Sequence, residues 1–344
     1  MTKATIDDVA ELAGVSIKTV SRVVNQEPNV RDSTREKVEK AIAKLNYRPN
    51  KAAQTLASLH SRLIVLVYDD PSAYEIPSAG YIIRMQEGAL RACRTANYEL
   101  LIHPCRYRSK DVAKELRTLI EQVRPDGIVL AAPLSNVPRI VNAIENTGTP
   151  LIRISPGKRN GKLSAVATND RQISAEMTRY LASLGHEKIA FITGHPGHKA
   201  VGNRFLGYQD GLTQSGLEFS ESLVVAGDNS IRSGEACAME LLEREDRPTA
   251  IFAANDDMAA GVMRVADRLG IKVPEELSVA GCDDIALAQQ VYPALTTINQ
   301  PLAAMVDEAV LRLIGWNREN KAVEDTTVVP GALKIRESTG PAPT

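Results

Sequence analysis

Several residues able to do chemistry sit where apolar runs end. Asp69 and Asp70 close the run 63–68, Asn255 and Asp256 follow 250–254, and Asp283 and Asp284 follow 277–282. Gln300 comes directly after LTTIN, and Arg204 stands early in the helical segment NRFLGYQDGL. One arginine, several carboxylates and two amides suit a polyhydroxylated ligand. Each hydroxyl needs a donor and an acceptor, and charge-assisted hydrogen bonds are the strong ones. Taken singly, Asp70 and Asp284 read equally well as helix caps or braces. The carboxylates also have the chemistry for acid–base work. However, the chain carries no Gly-x-Gly-x-x-Gly, no Gly-Lys-Ser/Thr phosphate loop, no Gly-x-Ser-x-Gly elbow and no visible nucleophile–base pair. A binding site therefore ranks above an enzyme, and no cofactor is expected.

A second set lies near the N-terminus. Ile17, Lys18, Ser21, Arg22 and Asn25 fall on the outer side of a short helical segment whose inner side is Val20, Val23 and Val24. Donors, acceptors and a small apolar tip are what base edges and phosphates in a major groove require. Two weaker clusters carry less. His195-Pro-Gly-His198 lacks a third ligand nearby and reads as a loop. Cys93, Cys105, Cys237 and Cys282 form no Cys-x-x-Cys pair, so free thiols in a reducing compartment are expected and no metal.

The elements that hold these residues follow from local pattern. Thr5 and Asp8 make a capping-box start, Ile6, Val9, Ala10 and Ala13 share one face, and Gly14 suits the left-handed residue that ends a helix. Ser16 caps the next helix, 17–25, which gives a helix-turn-helix. A third helix runs from about Ser33 to Asn46. Asn50 caps a short Ala-rich segment, 51–58, which is too short to hold as an isolated helix without support. From residue 62 apolar strands alternate with helices: 63–68, 80–97, YELLIHP, 110–123, 126–133, 137–147 and 149–155, then 171–184, 188–194, 202–214, SLVVAG, 231–244, 250–255, 257–269 and 277–284. Such alternation specifies parallel, doubly wound sheets, here two α/β lobes with a cleft between them. In such sheets ligands bind outside the carboxyl ends of the strands.

Composition agrees with this division. The 344 residues are 44% apolar, 24% charged and 4% aromatic, with a net charge of −1. Residues 1–62 carry 11 Lys and Arg against 7 Asp and Glu, a charge of +4 that leaves −5 on the remainder. A small basic head on a mildly acidic body hints at nucleic acid. The N-terminus has no apolar h-region and no run of about 18 apolar residues occurs, so a cytoplasmic protein with no membrane partner is expected.

The run ATIDDVAELAGVSIKTVSRVVNQEPNVRDSTREKVEKAIAKLNYRPNKAAQTLAS closely resembles the lac repressor (LacI/GalR) family of bacterial transcription regulators. The match covers about fifty residues at fixed spacing, and the two-lobed body resembles the periplasmic sugar-binding-protein fold that the family shares. The resemblance implies an all-α helix-turn-helix headpiece (1–49), a hinge helix (50–61) and a periplasmic-binding-protein-like domain (62–344). The lobes of that domain would be about 62–164 with 298–323, and 165–297 with 324–340. It also implies a homodimer on a palindromic operator. Ile17, Lys18 and Arg22 match base-reading positions. Thr19, Ser21, Asn25, Tyr47 and Asn50 match positions that meet phosphate or sugar. Thr5, Ser16 and Ala53 join the expected DNA contacts, and Leu56 matches the apolar wedge that kinks the operator, a known way to bend DNA.

Arg204, Asn255, Asp283 and Gln300 align with effector-contacting positions of sugar-binding members, and Asp69 and Tyr81 complete the expected site. Asn229 stands where the family's type member has a stacking Trp, so stacking on a sugar ring falls to Tyr74 or Tyr81. Trp316 reads as core or interface. The terminal RESTGPAPT carries no leucine heptad, so nothing points to a tetramer. The expected function is a repressor of carbohydrate-utilisation genes controlled by a small sugar-like effector. The runner-up is a sugar-binding protein of a transport or sensing system with no DNA role.

Overall fold

The structure is a computed structural model that describes residues 4–24, 30–47, 61–70, 79–157, 164–319 and 325–343. It divides into two compact units, Met1–Ser61 and Arg62–Thr344.

The first unit holds α1 (Ile6–Ala13), α2 (Ile17–Val24) and α3 (Asp32–Leu45). Val9 and Ala10 of α1, Val20 and Val23 of α2, and Val38 and Ala41 of α3 form one core. The α1–α2 turn depends on Gly14, whose φ of +64° ends α1 and lets its N–H reach Glu11 O at 3.2 Å. Asn46 ends α3 in the same left-handed conformation, φ +47°. The short Ala-rich hinge segment lies outside the described residues.

The second unit contains two six-stranded sheets. The first comprises β1 (Leu63–Asp69), β2 (Glu99–Cys105), β3 (Gly127–Leu130), β4 (Leu151–Ile154), β5 (Ala165–Ala167) and β11 (Thr326–Val328) in the order β11-β5-β4-β3-β1-β2, all parallel. The second comprises β6 (Ile189–Thr193), β7 (Val224–Ala226), β8 (Ala250–Ala253), β9 (Ser278–Asp283), β10 (Thr296–Asn299) and β12 (Ala332–Lys334) in the order β12-β10-β9-β8-β6-β7. Only β12 runs antiparallel, against β10. Both faces of each sheet are covered, which explains the near-continuous apolar strands. On β1, Ile64, Leu66 and Tyr68 enter one core while Val65 and Val67 enter the other. The second lobe packs around Phe191, Phe252 and Tyr208.

The connecting helices follow the expected rhythm: α4 (Gly80–Ala96), α5 (Val112–Val123), α6 (Pro138–Glu145), α7 (Asp170–Ser183), α8 (Ala200–Gln214), α9 (Ile231–Leu242), α10 (Asp256–Arg268), α11 (Leu287–Gln290) and α12 (Leu302–Glu319). In each sheet the strand order reverses once, between β1 and β3 and between β6 and β8. These reversals are where doubly wound sheets bind ligands.

The lobes exchange chain at slightly different points from those the sequence led us to expect. β5 pairs with β4 and β11 pairs with β5, so 165–167 and 326–328 belong to the first lobe rather than the second. β10 pairs with β9, so 298–299 belongs to the second lobe rather than the first. The chain therefore crosses at 168–169, 300–301 and 329–331. The first and third crossings are tied together, because Gly331 N donates to Asn169 Oδ1 at 2.8 Å. After the second crossing α12 returns to pack on α4 and on β3, β4 and β5. Its approach to α4 is close: a Cβ at Gly88 would lie 2.0 Å from Ala303 O.

Candidate functional site

Helix α2 presents a polar face with an apolar tip. Val20 and Val23 are buried, whereas Lys18 and Arg22 are exposed and Ile17 is 48% exposed. An isoleucine so exposed at the first turn contributes nothing to its own core. The cap of α2 is built from Ser16, whose Oγ accepts from Thr19 N at 3.2 Å and lies 2.9 Å from Thr19 Oγ1. At α1, Thr5 Oγ1 accepts from Asp8 N at 3.3 Å and Asp8 Oδ2 accepts from Thr5 N at 2.7 Å. These bonds hold the Asp8 carboxyl below its usual range. Thr5, Ser16 and Thr19 thus fix the helix starts with the same oxygens that were expected to meet DNA. Ser21 and Tyr47 are partly buried, and Tyr47 packs on the three-helix core. Asn25, Asn50, Ala53 and Leu56 lie outside the described residues.

Between the lobes is a cavity of about 700 Å³. Five of the six expected effector residues line it: Asp69, Tyr81, Arg204, Asn255 and Asp283. They stand at the strand-order reversals or beside them, Asp69 at the end of β1, Asn255 after β8 and Asp283 at the end of β9. Tyr74 lies outside the described residues.

The floor is an ion cluster. Arg204 of α8 is 6% exposed; its Nε donates to Asp170 Oδ1 at 3.0 Å, and its Nη1 lies 3.8 Å from Asp283 Oδ1 and bonds Ala254 O. Two buried carboxylates share one guanidinium, and Asp170 holds the nearer place. Burial, with Asp256 and Asp257 close by, raises Asp283 well above the ordinary carboxylate range against the pull of Arg204. Burial likewise raises the Tyr81 phenol, with Asp283 adding to it.

Gln300 departs from expectation. It is 1% exposed and lies behind the wall rather than on it, where its Nε2 donates to Asp283 Oδ1 at 2.8 Å. Asp283 needs such a brace because its φ of +126° is costly for any residue with a Cβ. Asn255 has two structural duties besides lining the cavity. Its Oδ1 accepts from Met258 N at 3.0 Å to cap α10, and its Nδ2 donates to Asn229 O at 3.0 Å. Asn229 lines the same wall and its Oδ1 accepts from His195 N at 3.2 Å. Asp284 is a brace, accepting from Arg336 at 2.6 Å and Asn299 at 2.8 Å. The Asp256 carboxylate accepts from Thr297 Oγ1 at 2.5 Å and Ile285 N at 2.9 Å, and burial pushes it up to about 7.

The His195–His198 loop is more than a connection. Both histidines line the cavity, and the first lobe grips the loop from across the cleft. Tyr107 Oη lies 2.9 Å and Arg108 Nη2 2.7 Å from His195 Nε2, while Asn136 Nδ2 donates to Gly197 O at 3.2 Å. Asn136 is itself held by Gly157, whose N–H donates to its Oδ1 at 2.9 Å. Burial, with Arg108 beside it, lowers the His195 pKa; burial drives His198 down to about 3, helped by His195 and Arg204. Sequence reasoning missed this contact, although His195 follows directly after β6, at a strand-order reversal. The wall also includes Arg108, Asp228, Ser230 and Arg232, none of them expected. Trp316 on α12 is half-buried and away from the cavity. All four cysteines are buried free thiols. No helix among the described residues is long and apolar enough to cross a membrane.

Residues 5–50 match the family described as bacterial regulatory proteins, lacI family, and residues 178–339 match the periplasmic binding protein-like domain. The chain is 33% identical over 341 residues to the HTH-type transcriptional regulator DegA of Bacillus subtilis (strain 168), spanning 98% of this chain and 99% of that protein. It is also 33% identical over 340 residues to the HTH-type transcriptional regulator GalR of Escherichia coli (strain K12), spanning 97% and 95%. Among solved structures, the lac repressor dimer bound to operator and the anti-inducer ONPF superposes with a TM-score of 0.79 at 29% identity. It spans 98% of this chain and 100% of that one. The complex of the transcriptional regulator CelR with cellobiose superposes with a TM-score of 0.75, again at 29% identity and with the same coverage.

Proposed function

Because the chain belongs to the lacI family of bacterial regulatory proteins, we propose that it represses carbohydrate-utilisation genes by binding a palindromic operator as a homodimer, under the control of a small sugar held between its lobes. The observation that carries the DNA role is the exposed tip of α2, Ile17, Lys18 and Arg22, on a helix whose other side is fully used in its own core. Ile17, Lys18 and Arg22 read base edges. Thr19, Ser21, Asn25, Tyr47 and Asn50 meet phosphate or sugar, Thr5, Ser16 and Ala53 join the DNA contacts, and Leu56 wedges between base steps.

In the cleft, Arg204 and Asp283 anchor hydroxyls from the floor, Asp69 and Asn255 add an acceptor and an amide, and Tyr81 offers a ring face. Gln300 works through Asp283 rather than on the ligand. The homodimer is supported by apolar side chains on one face of α4, where Ile83 is 52% and Leu90 40% exposed. Effector and operator are coupled because a sugar with different affinities for two arrangements of the lobes shifts their populations. The reading includes a cytoplasmic location and no catalytic activity; of the carboxylates lining the cavity, Asp283 is held by Arg204 and Gln300, and Asp69 and Asp228 accept from the backbone N–H groups of Tyr107 and Ser230. A sugar-binding transport component fits the body but leaves the headpiece without a purpose.

The test is fluorescence anisotropy on a labelled palindrome selected from random DNA by the protein, at fixed salt because phosphate contacts make affinity steeply salt-dependent. Mono- and disaccharides are then added. Tight binding altered by one sugar is the expected result. Absence of specific binding would overturn the regulator reading, and indifference to every sugar would overturn the effector class alone.

A further inference from the structure

On the outer edge of the first lobe, away from the cleft, three side chains of different chemistry converge. β2 is the terminal strand of its sheet, so residues two apart on it share a face. His103 and Cys105 are two apart, and α5 covers that face and brings Glu115 to them. His103 Nε2 lies 2.8 Å from Glu115 Oε1, and Cys105 Sγ lies 3.9 Å from the same oxygen. One donor atom from each residue falls within 4.8 Å of the others. Among the described residues this is the one group of three such side chains so close together.

We propose that His103, Cys105 and Glu115 form a binding site for a zinc-class divalent cation. One imidazole nitrogen, one thiolate and one carboxylate oxygen are the ligand types that suit zinc in tetrahedral coordination, with bonds of about 2.0–2.3 Å. Donors in such a site stand roughly 3.5 Å apart. To reach that spacing the 2.8 Å His103–Glu115 distance lengthens and the distances to Cys105 Sγ shorten, shifts on the order of an ångström that the exposed Glu115 and the partly exposed His103 side chains can make. The entry path is present as well: a groove of about 410 Å³ is lined by His103 and Glu115 and opens to solvent. Asp111, four residues before Glu115 and one helical turn away on the same face of α5, lines the groove too, as does the competing cation Lys114. Cys105 is only 2% exposed and is not part of the groove lining; its Sγ lies 3.9 Å from the Glu115 carboxylate that is. That arrangement leaves the fourth position to water from the groove. The site sits just before Tyr107 and Arg108, so a cation here would fasten the end of the strand that carries the residues gripping His195.

The test uses the full-length protein, stripped with chelator, dialysed and titrated with Co2+. A thiolate-to-cobalt charge-transfer band rising to one equivalent per chain is expected, with tetrahedral d–d bands, and both displaced by Zn2+. Cys105→Ser should abolish the charge-transfer band. Glu115→Gln and His103→Gln should weaken binding by about tenfold or more, following the usual scale of losses at metal sites. Cys93→Ser and Cys237→Ser should leave the spectrum unchanged. No band in the native protein would overturn the site, as would a band that survives Cys105→Ser. If Cys105→Ser fails to fold, the native titration and the Glu115→Gln variant decide, since unchanged Co2+ affinity in Glu115→Gln also overturns it. None of these readouts uses DNA or sugar.

Discussion

The Tyr107 hydroxyl lies 2.9 Å from Nε2 of His195, and the two residues belong to opposite lobes. This bond, with Arg108 beside it at 2.7 Å, links the strand end after β2 to the loop after β6 directly over the cavity. It bridges the two lobes at the cavity. Tyr107→Phe should therefore lower affinity for a sugar that prefers the closed form. A net hydrogen bond is worth about 0.5–1.5 kcal/mol, so the loss should be roughly twofold to tenfold. Isothermal titration measures it, and an unchanged affinity would remove the latch from the binding equilibrium.

Arg204 compensates two buried carboxylates. Arg204→Met leaves Asp170 and Asp283 without their cation, and breaking a buried pair on one side costs about 3–5 kcal/mol. Urea unfolding should show that loss, and sugar response should vanish while the isolated headpiece fold persists. Adding Asp170→Asn to Arg204→Met should recover part of the stability. A double variant no more stable than the single one would contradict the shared-charge account.

The lowered histidines cost stability in acid, while the raised carboxyls of Asp256 and Asp283 work in the opposite direction. His195 and His198 both have lowered pKa values in the fold, as does buried His186. Unfolding returns each to an ordinary value near 6.5, so below that pH the unfolded chain binds more protons and folding weakens as pH drops. His198, at about 3 in the fold, can contribute at most about 2 kcal/mol between pH 6.5 and pH 5. Because these carboxyls offset the loss, the readout is the difference between variant and native protein: the melting temperature of His198→Asn relative to the native chain should rise from pH 7 through 6 to 5. A difference that stays constant or shrinks over this range would refute the assignment.

On the operator, Arg22→Ala should cost about 1–3 kcal/mol of specific binding, the scale of a side chain contacting base edges. Non-specific binding should change far less. Anisotropy on operator and scrambled DNA at one salt concentration separates the two. Equal losses on both would make Arg22 a phosphate contact instead.

Gly88→Ala tests the packing that returns α12 to the first lobe. A methyl group there would meet Ala303 O at 2.0 Å, and overpacking of this kind costs about 1–3 kcal/mol or more. Denaturant midpoints measure it, and a neutral result would mean that α4 and α12 separate freely.

The long apolar strands and amphipathic helices were legible because each carries its own periodicity. β5, β11 and β12 were not, being three-residue strands whose existence depends on the neighbour they pair with. The boundary between lobes shifted by a few residues for that reason. At the cleft, strand-end position identified Asp69, Asn255 and Asp283, because topology puts strand ends there whatever the loops do, whereas Arg204, on a helix, was picked out by the family resemblance. It did not separate Gln300 from them, since a buried amide one layer back has the same local sequence as one on the wall. The Tyr107–His195 contact joins residues 88 apart and exists only once two lobes face each other, so no local pattern encodes it.

The three crossings between lobes also set an order of assembly on the ribosome. The second lobe's central strands and helices are complete within 170–299, whereas the first lobe lacks α12 and β11 until 302–328 have emerged. Leu302, Met305, Val306, Val310 and Leu313 supply much of the core against Ile64, Leu66 and Met85. Until they arrive, that face of the first sheet stays open to water. Domains usually mature from the N-terminus during synthesis; here the half of the body made first must wait for the last stretch of chain, and a nascent chain stalled near residue 300 would expose that unfinished apolar face to chaperones.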